Sequence, residues 1–146
     1  MRKAVIVDVD LTLVSETPYD MDLARDAEYN ARWHLATLKA ERLEVGVEMV
    51  KILYHMGFAL VVMTARDEPG RRELNKKLRE LGIFHMFDKI MMRDSADNGL
   101  SSSYVKGKMI DACRGEYRFL FAMDDANHDL YKKEGIKVID ANFWNK

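Results

Sequence analysis

Residues 4–12 read Ala4-Val5-Ile6-Val7-Asp8-Val9-Asp10-Leu11-Thr12. The apolar run is rich in β-branched residues and suits a strand buried on both faces of a parallel sheet. Two carboxylates, one residue apart, follow it directly. In a low-dielectric setting they repel each other unless a cation sits between them. A strand delivering both to one end of a sheet predicts a Mg²⁺ site with one carboxylate left to react, which points to phosphoryl-transfer chemistry.

Further apolar runs repeat the strand pattern: Ala59–Met63, Lys89–Met92, Arg118–Met123 and Lys137–Asp140. Helical stretches separate them. Val45 to Met56 carries apolar residues at Val47, Val50, Leu53 and Tyr54 and stops at Gly57. Pro69 marks the first turn of a helix running to Leu81, closed by Gly82. Ser101, Ser102 and Ser103 offer caps for a helix through Ala112, and Asn127 to Lys133 forms a short last helix. The alternation predicts an α/β fold, a doubly wound Rossmann-like parallel sheet of about five strands with helices on both faces. The first strand lies near the centre, and ligands bind at the carboxyl ends of the strands. There the first strand brings Asp8 and Asp10, the second Thr64-Ala65-Arg66, and the fourth Asp124-Asp125.

Asp20 to Arg42 breaks the alternation. It is charged, helix-compatible and contains Tyr29, Trp33 and His34. We read it as a small helical cap inserted over the active rim, giving one domain over 1–146 with a cap-like insertion at about 15–43. The alternative is a surface helix whose aromatics pack on the core.

The 146 residues are 48% hydrophobic, enough for one globular core. Lys and Arg total 23 against 24 Asp and Glu, which excludes a strongly basic nonspecific binder but not a local basic face. A lone cysteine, Cys113, excludes a disulfide framework and is expected as a small buried hydrophobe. No apolar stretch reaches about 18 residues, and no leader is apparent, so a cytoplasmic protein without membrane contact is expected. The four histidines lack metal-ligand spacing.

The converging groups have chemical roles to fill. Asp8 is the candidate nucleophile, forming an aspartyl-phosphate. Asp10 is the candidate acid and base for the leaving oxygen and then for water. Asp124 is a candidate Mg²⁺ ligand, with Asp125 either a ligand or a group orienting one. Two carboxylates and a backbone carbonyl suffice for Mg²⁺. Thr64 offers a hydroxyl to a phosphate oxygen, and Lys106 or Lys108 offsets the charge of the intermediate. Removing Asp124 is expected to weaken Mg²⁺ binding while relieving repulsion in the metal-free protein, with Asp125 or Asp129 next as ligand. Arg66, Arg71, Arg72, Lys76, Lys77 and Arg79 read as a basic helix after the second strand, balanced by Glu68, Glu73 and Glu80.

In chain order, Asp8-x-Asp10-x-Thr12, Thr64, Lys106 and Asp124-Asp125 resemble the four motifs of the haloacid dehalogenase superfamily of phosphohydrolases. Within it, Lys3 to Asp10, Pro18-Tyr-Asp20, Met56-Gly57, Tyr104-Val-Lys106 and Met123-Asp-Asp125 are similar to the phosphatase domain of phage polynucleotide kinase–phosphatase. The resemblance implies a Mg²⁺ cofactor held by Asp8, Asp10, Asp124 and Asp125. It also implies Asp8, Asp10, Thr64 and Lys106 as catalytic residues and Arg66, Thr12 and Ala65 on the substrate. The implied substrate is a phosphomonoester at nucleic acid 3′ ends, and a phage origin would put the protein in a host cytoplasm. Four features depart from the pattern. Leu11 stands where the family has Gly, so a tighter or differently turned loop is expected. Ser15-Glu-Thr17 lacks the arginine that precedes Pro-Tyr-Asp, and Ser102 replaces an acidic residue. No G-x-x-x-x-G-K-[ST] kinase loop is present. The competing readings are a nucleotide or small-molecule phosphatase and a non-catalytic binding module on the same fold.

Overall fold

A computed structural model describes residues 1–15 and 27–144, with the side chains of 27–30 left aside. Five parallel strands, β1 (Arg2–Val7), β2 (Ala59–Asp67), β3 (Phe87–Arg93), β4 (Tyr117–Asp124) and β5 (Lys137–Asp140), form one sheet in the order β3-β2-β1-β4-β5. The first strand is central, as its two-sided apolar character requires. Its side chains alternate between two cores. Val5 and Val7 pack with Val47, Val50 and Leu53 of α2 (Glu44–His55) and Leu74 and Leu78 of α3 (Arg71–Glu80). Ala4 and Ile6 pack with Val105, Met109 and Ile110 of α4 (Ser102–Cys113) and Tyr131 of α5 (His128–Lys133). Cys113 is buried in this second core.

Two expectations are corrected. β2 runs on to Asp67, and its register to β3 jumps between Thr64 and Asp67, opposite the consecutive Met92 and Arg93. That irregularity swings Arg66 toward the sheet's carboxyl rim, the usual effect of a bulge. Arg66 is therefore a strand residue and no part of a basic helix. A 3₁₀ turn over Glu68–Gly70, holding Pro69, separates β2 from α3. The second correction concerns Leu11. It adopts φ +59°, so the loop keeps a glycine-type turn despite the side chain. The left-handed conformation costs a β-carbon residue about 1–2 kcal/mol. The hydrogen bonds Leu11 N to Val14 O (2.9 Å) and Leu13 N to Val9 O (2.8 Å) hold it.

The segment after this loop leaves and returns at one place. Ser15 N donates to Glu41 O (2.7 Å), and Leu43 N to Leu13 O (2.9 Å). Within it α1 (Ala27–Thr37) packs on α3 and on the Glu68–Gly70 turn. Residues 16–26 of the expected cap, including Pro18-Tyr-Asp20 and the position of the missing arginine, lie outside the described residues.

Gly46 sets the distance between α2 and the loop after β1. A Cβ there would lie 1.8 Å from the Thr12 carbonyl oxygen, which also accepts from Trp144 Nε1 at 3.1 Å. Backbone cannot step aside as a flexible side chain can. Gly46→Ala is expected to lose at least about 1–3 kcal/mol in urea denaturation, with turnover falling as the loop shifts. Gly115→Ala, with nothing within 4 Å, is the control and should match wild type.

Candidate active site

Strand alternation decides which side chains meet. Asp8 continues the Ala4–Ile6 face, and Asp124 continues that of Ala122, so both carboxylates turn toward α4 and α5. Lys106, buried on α4, places Nζ 2.9 Å from Asp8 Oδ1 and 2.7 Å from Asp124 Oδ2. Of the two lysine candidates, Lys106 enters the site; Lys108 is exposed and pairs with Asp97 at 2.9 Å. Thr12 donates its hydroxyl to Asp8 Oδ2 at 3.2 Å. Asp124 also accepts from Tyr131 Oη (2.6 Å) and from the Ala126 amide (3.0 Å).

Asn127 adopts φ +62° and closes the turn after β4. Its side chain donates to Ser102 Oγ (3.2 Å) and accepts from Ser103 Oγ (2.7 Å). Ser102, the residue in place of an acidic one, thus ties α4 to the Asp124 loop. Asp125 contributes its carbonyl to Asn142 Nδ2 at 2.8 Å.

Arg66 approaches from β2. Its Nε donates to Asp10 Oδ2 at 2.8 Å, its Nη2 to Asp10 Oδ1, and its Nη1 to the Thr37 hydroxyl of α1. The Trp33 ring lies 5.0 Å from the guanidinium carbon. Thr64 is buried and accepts from the Arg66 amide at 3.2 Å. The Ala65 carbonyl is held by Arg93 Nε at 2.8 Å.

Asp8, Asp124 and Asp125 each offer an oxygen within 4.8 Å of the others'. Burial and the neighbouring Asp124 charge push the Asp8 carboxyl well above the usual carboxylate range. Burial and Asp124 likewise raise Asp125. Burial opposes the charge on Asp124 too, but the Lys106 ammonium and its hydrogen bond, with help from Tyr131, hold that carboxyl below its ordinary value. Lys106 is raised: burial opposes its charge, and Asp8 and Asp124 outweigh it. Three carboxylates face one ammonium, so one more cation would balance the cluster, and its all-oxygen donors suit Mg²⁺. The Asp10 carboxylate lies outside this group and is gripped by Arg66. Asp129, the reserve ligand, is exposed and outside the group.

The expected basic run divides. Arg71 pairs with Glu68 (2.7 Å), Lys77 is buried with its ammonium 3.4 Å from Leu38 O, and Arg79 lies over the Phe84 ring at 4.2 Å. Arg72, Lys76 and Arg79 are exposed at helical spacing along one face of α3. Tyr131, Asn127, Trp33 and Thr37 carry no motif signature; only the tolerance of Asn for left-handed backbone hinted at Asn127.

Comparison with known proteins fits this geometry. No curated protein matches. Among solved structures, a chain of the Pnkp1/Rnl/Hen1 complex superposes with a TM-score of 0.79 at 23% identity, over 97% of this chain and 45% of that one. This chain therefore spans less than half of that neighbour. A phosphatase-described protein from Clostridium difficile gives 0.66 at 15% identity over 94% and 83% of the two chains. A haloacid dehalogenase-like hydrolase from Streptococcus pneumoniae gives 0.62 at 13% over 96% and 84%. Among the described residues no helix is long and apolar enough to cross a membrane. Residues 1–142 match the family model described as haloacid dehalogenase superfamily, subfamily IIIB (acid phosphatase), and the chain belongs to that superfamily of phosphatases.

Proposed function

We propose that this phosphatase is a Mg²⁺-dependent phosphomonoesterase that forms an aspartyl-phosphate on Asp8 and acts on phosphate at nucleic acid 3′ ends. The observation that carries the chemistry is Lys106 Nζ seated between Asp8 and Asp124. A carboxylate held by a buried ammonium and the Thr12 hydroxyl is aimed and kept from wandering. Asp8 attacks phosphorus as the ester P–O bond breaks, and Asp10 gives its proton to the leaving oxygen. Asp10 then takes a proton from the water that attacks phosphorus, which releases inorganic phosphate and frees Asp8. Thr64 and Arg66 are read as phosphate contacts, with Ala65 lending backbone. Asp8, Asp124 and Asp125 would hold Mg²⁺, with Asp10 able to add only its backbone carbonyl. When bound, the ion neutralises charge on the phosphoryl oxygens. Residues 15–43 are read as a cap-like insertion beside the rim.

The substrate class is supported by the fold shared with a chain of the Pnkp1/Rnl/Hen1 RNA repair complex and by the Arg72–Lys76–Arg79 stripe. Successive stripe residues rise about 4.5–6 Å along the helix, which lines the three cations up for an extended anionic backbone. The acid-phosphatase description of the family model favours a second reading, a free nucleotide or other small phosphomonoester. Phosphate release from 3′-phosphorylated oligonucleotides and from mononucleotides, across a salt series, separates the two. Each phosphate contact adds a slope of about −0.7 in log affinity against log salt for a single strand. The oligonucleotide should be preferred at low salt and show the steeper dependence. Arg72→Glu with Lys76→Glu should remove that excess slope and spare p-nitrophenyl phosphate. Equal rates for both substrates at low salt would leave the small-molecule reading standing.

A further inference from the structure

We infer that helix α1 of the inserted segment is a positioning element for the acid–base step: Thr37 and Trp33 fix Arg66, and Arg66 fixes Asp10. The inference rests on the role proposed above for Asp10.

An arginine side chain has about 2 kcal/mol of rotamer entropy to lose, so a guanidinium that orients a reacting carboxylate must itself be held. Here its planar fork is engaged on two edges. Nε and Nη2 grip both oxygens of Asp10, which sets the plane of that carboxylate. Nη1 reaches the Thr37 hydroxyl on the other edge. That hydroxyl donates back to the Trp33 carbonyl one helical turn earlier, at 3.3 Å, so its oxygen is left to accept from Arg66. The Trp33 ring 5.0 Å from the guanidinium carbon adds a cation–π contact in the same buried setting. Arg66, Thr37 and Trp33 are at most 5% exposed, so water is a poor substitute for any of them. Asp10, by contrast, is 34% exposed at its side chain.

The inserted helix is also docked independently of Thr37. It packs on α3 and on the Glu68–Gly70 turn, and the His34 ring lies so close to Gly70 that a Cβ there would be 2.2 Å from Nδ1. Loss of the Thr37 hydroxyl therefore leaves α1 in place while freeing one edge of the guanidinium. Arg66 can then turn, and Asp10 turns with it.

Leaving groups give the test. An alkyl phosphate needs a proton on the departing oxygen, whereas p-nitrophenolate departs without one. Thr37→Val should lower kcat/KM on glycerol phosphate, which reads only the steps through aspartyl-phosphate formation, by about 10- to 100-fold, the scale of a small misplacement. Its kcat/KM on p-nitrophenyl phosphate should fall far less. Thr37→Ser, which keeps the oxygen, should recover both, and Trp33→Leu should repeat the asymmetry more weakly. Urea midpoints would be recorded for each variant. Equal losses of kcat/KM on the two substrates, or no rescue by Thr37→Ser, would overturn the inference and leave Thr37 a packing residue. Equal losses of kcat/KM in Asp10→Asn would overturn the acid role itself and the inference with it. That variant separates the two failures.

Discussion

Asp8→Asn should abolish turnover, by on the order of 10⁴-fold or more, and leave the protein at least as stable as wild type in metal-free buffer. The amide keeps the shape of the carboxylate and can still meet Thr12 and Lys106, but it is no nucleophile for phosphorus. The stability half follows from electrostatics. Burial and Asp124 raise the folded-state pKa of Asp8 above its unfolded value. Such a carboxylate costs stability once pH passes the unfolded value, because the unfolded chain ionises freely and the folded one resists. In the metal-free wild type the Asp8 contribution should therefore become more unfavourable as pH rises from about 4 toward neutrality. Asp8→Asn should lack that component. Steady-state rates and thermal melts at several pH values check both halves. Near-normal turnover in Asp8→Asn would end the covalent mechanism; a collapsed fold would show that the charge is needed for structure.

Much of this architecture was legible in the sequence because it rests on period and order. The five apolar runs appear as the five strands, and the first is central because both its faces are buried. The carboxyl-end rule then gathered Asp8, Asp10, Thr64 and Asp124 from distant parts of the chain. What stayed hidden depends on geometry that no local pattern encodes. Lys106 and Lys108 lie two residues apart on α4 and point to different sides; spacing alone does not say which side meets the sheet. The basic run after β2 looked continuous because the irregularity at Ala65–Arg66 leaves no compositional mark. Leu11 looked incompatible with a glycine turn, yet hydrogen bonds around Val9 and Val14 hold it in the left-handed region. Trp33 read as either cap or core residue. It packs against Arg66 and belongs to neither apolar cluster.

Asp124 is where the sequence-based expectation reverses. An acidic cluster suggested that deleting this carboxylate would relieve repulsion and spare the metal-free fold. In the structure Asp124 is the best-supported charge of the cluster, with Lys106, Tyr131 and the Ala126 amide all donating to it. Asp124→Ala leaves a buried tyrosine hydroxyl without that acceptor and removes one of two ion-pair partners of a buried lysine. The expected loss is about 2–4 kcal/mol, less than for a fully orphaned lysine because Asp8 still holds Lys106. For a domain of this size that lowers Tm by roughly 5–15 °C. Its pH dependence has the opposite sign to that of Asp8. The folded pKa of Asp124 is depressed, so its stabilisation is present above the unfolded value of 3.8 and is lost as pH falls through the folded one. The gap between wild type and Asp124→Ala should therefore close on acidification below about pH 4. Adding Tyr131→Phe to Asp124→Ala should recover part of the loss, since it removes the orphaned hydroxyl, and the two changes should be non-additive in a double-mutant cycle. Wild type should also gain Tm with added Mg²⁺, by binding linkage, and Asp124→Ala should not. An Asp124→Ala protein that melts at the wild-type temperature without metal would mean that repulsion, and not the Lys106–Tyr131 network, governs this cluster.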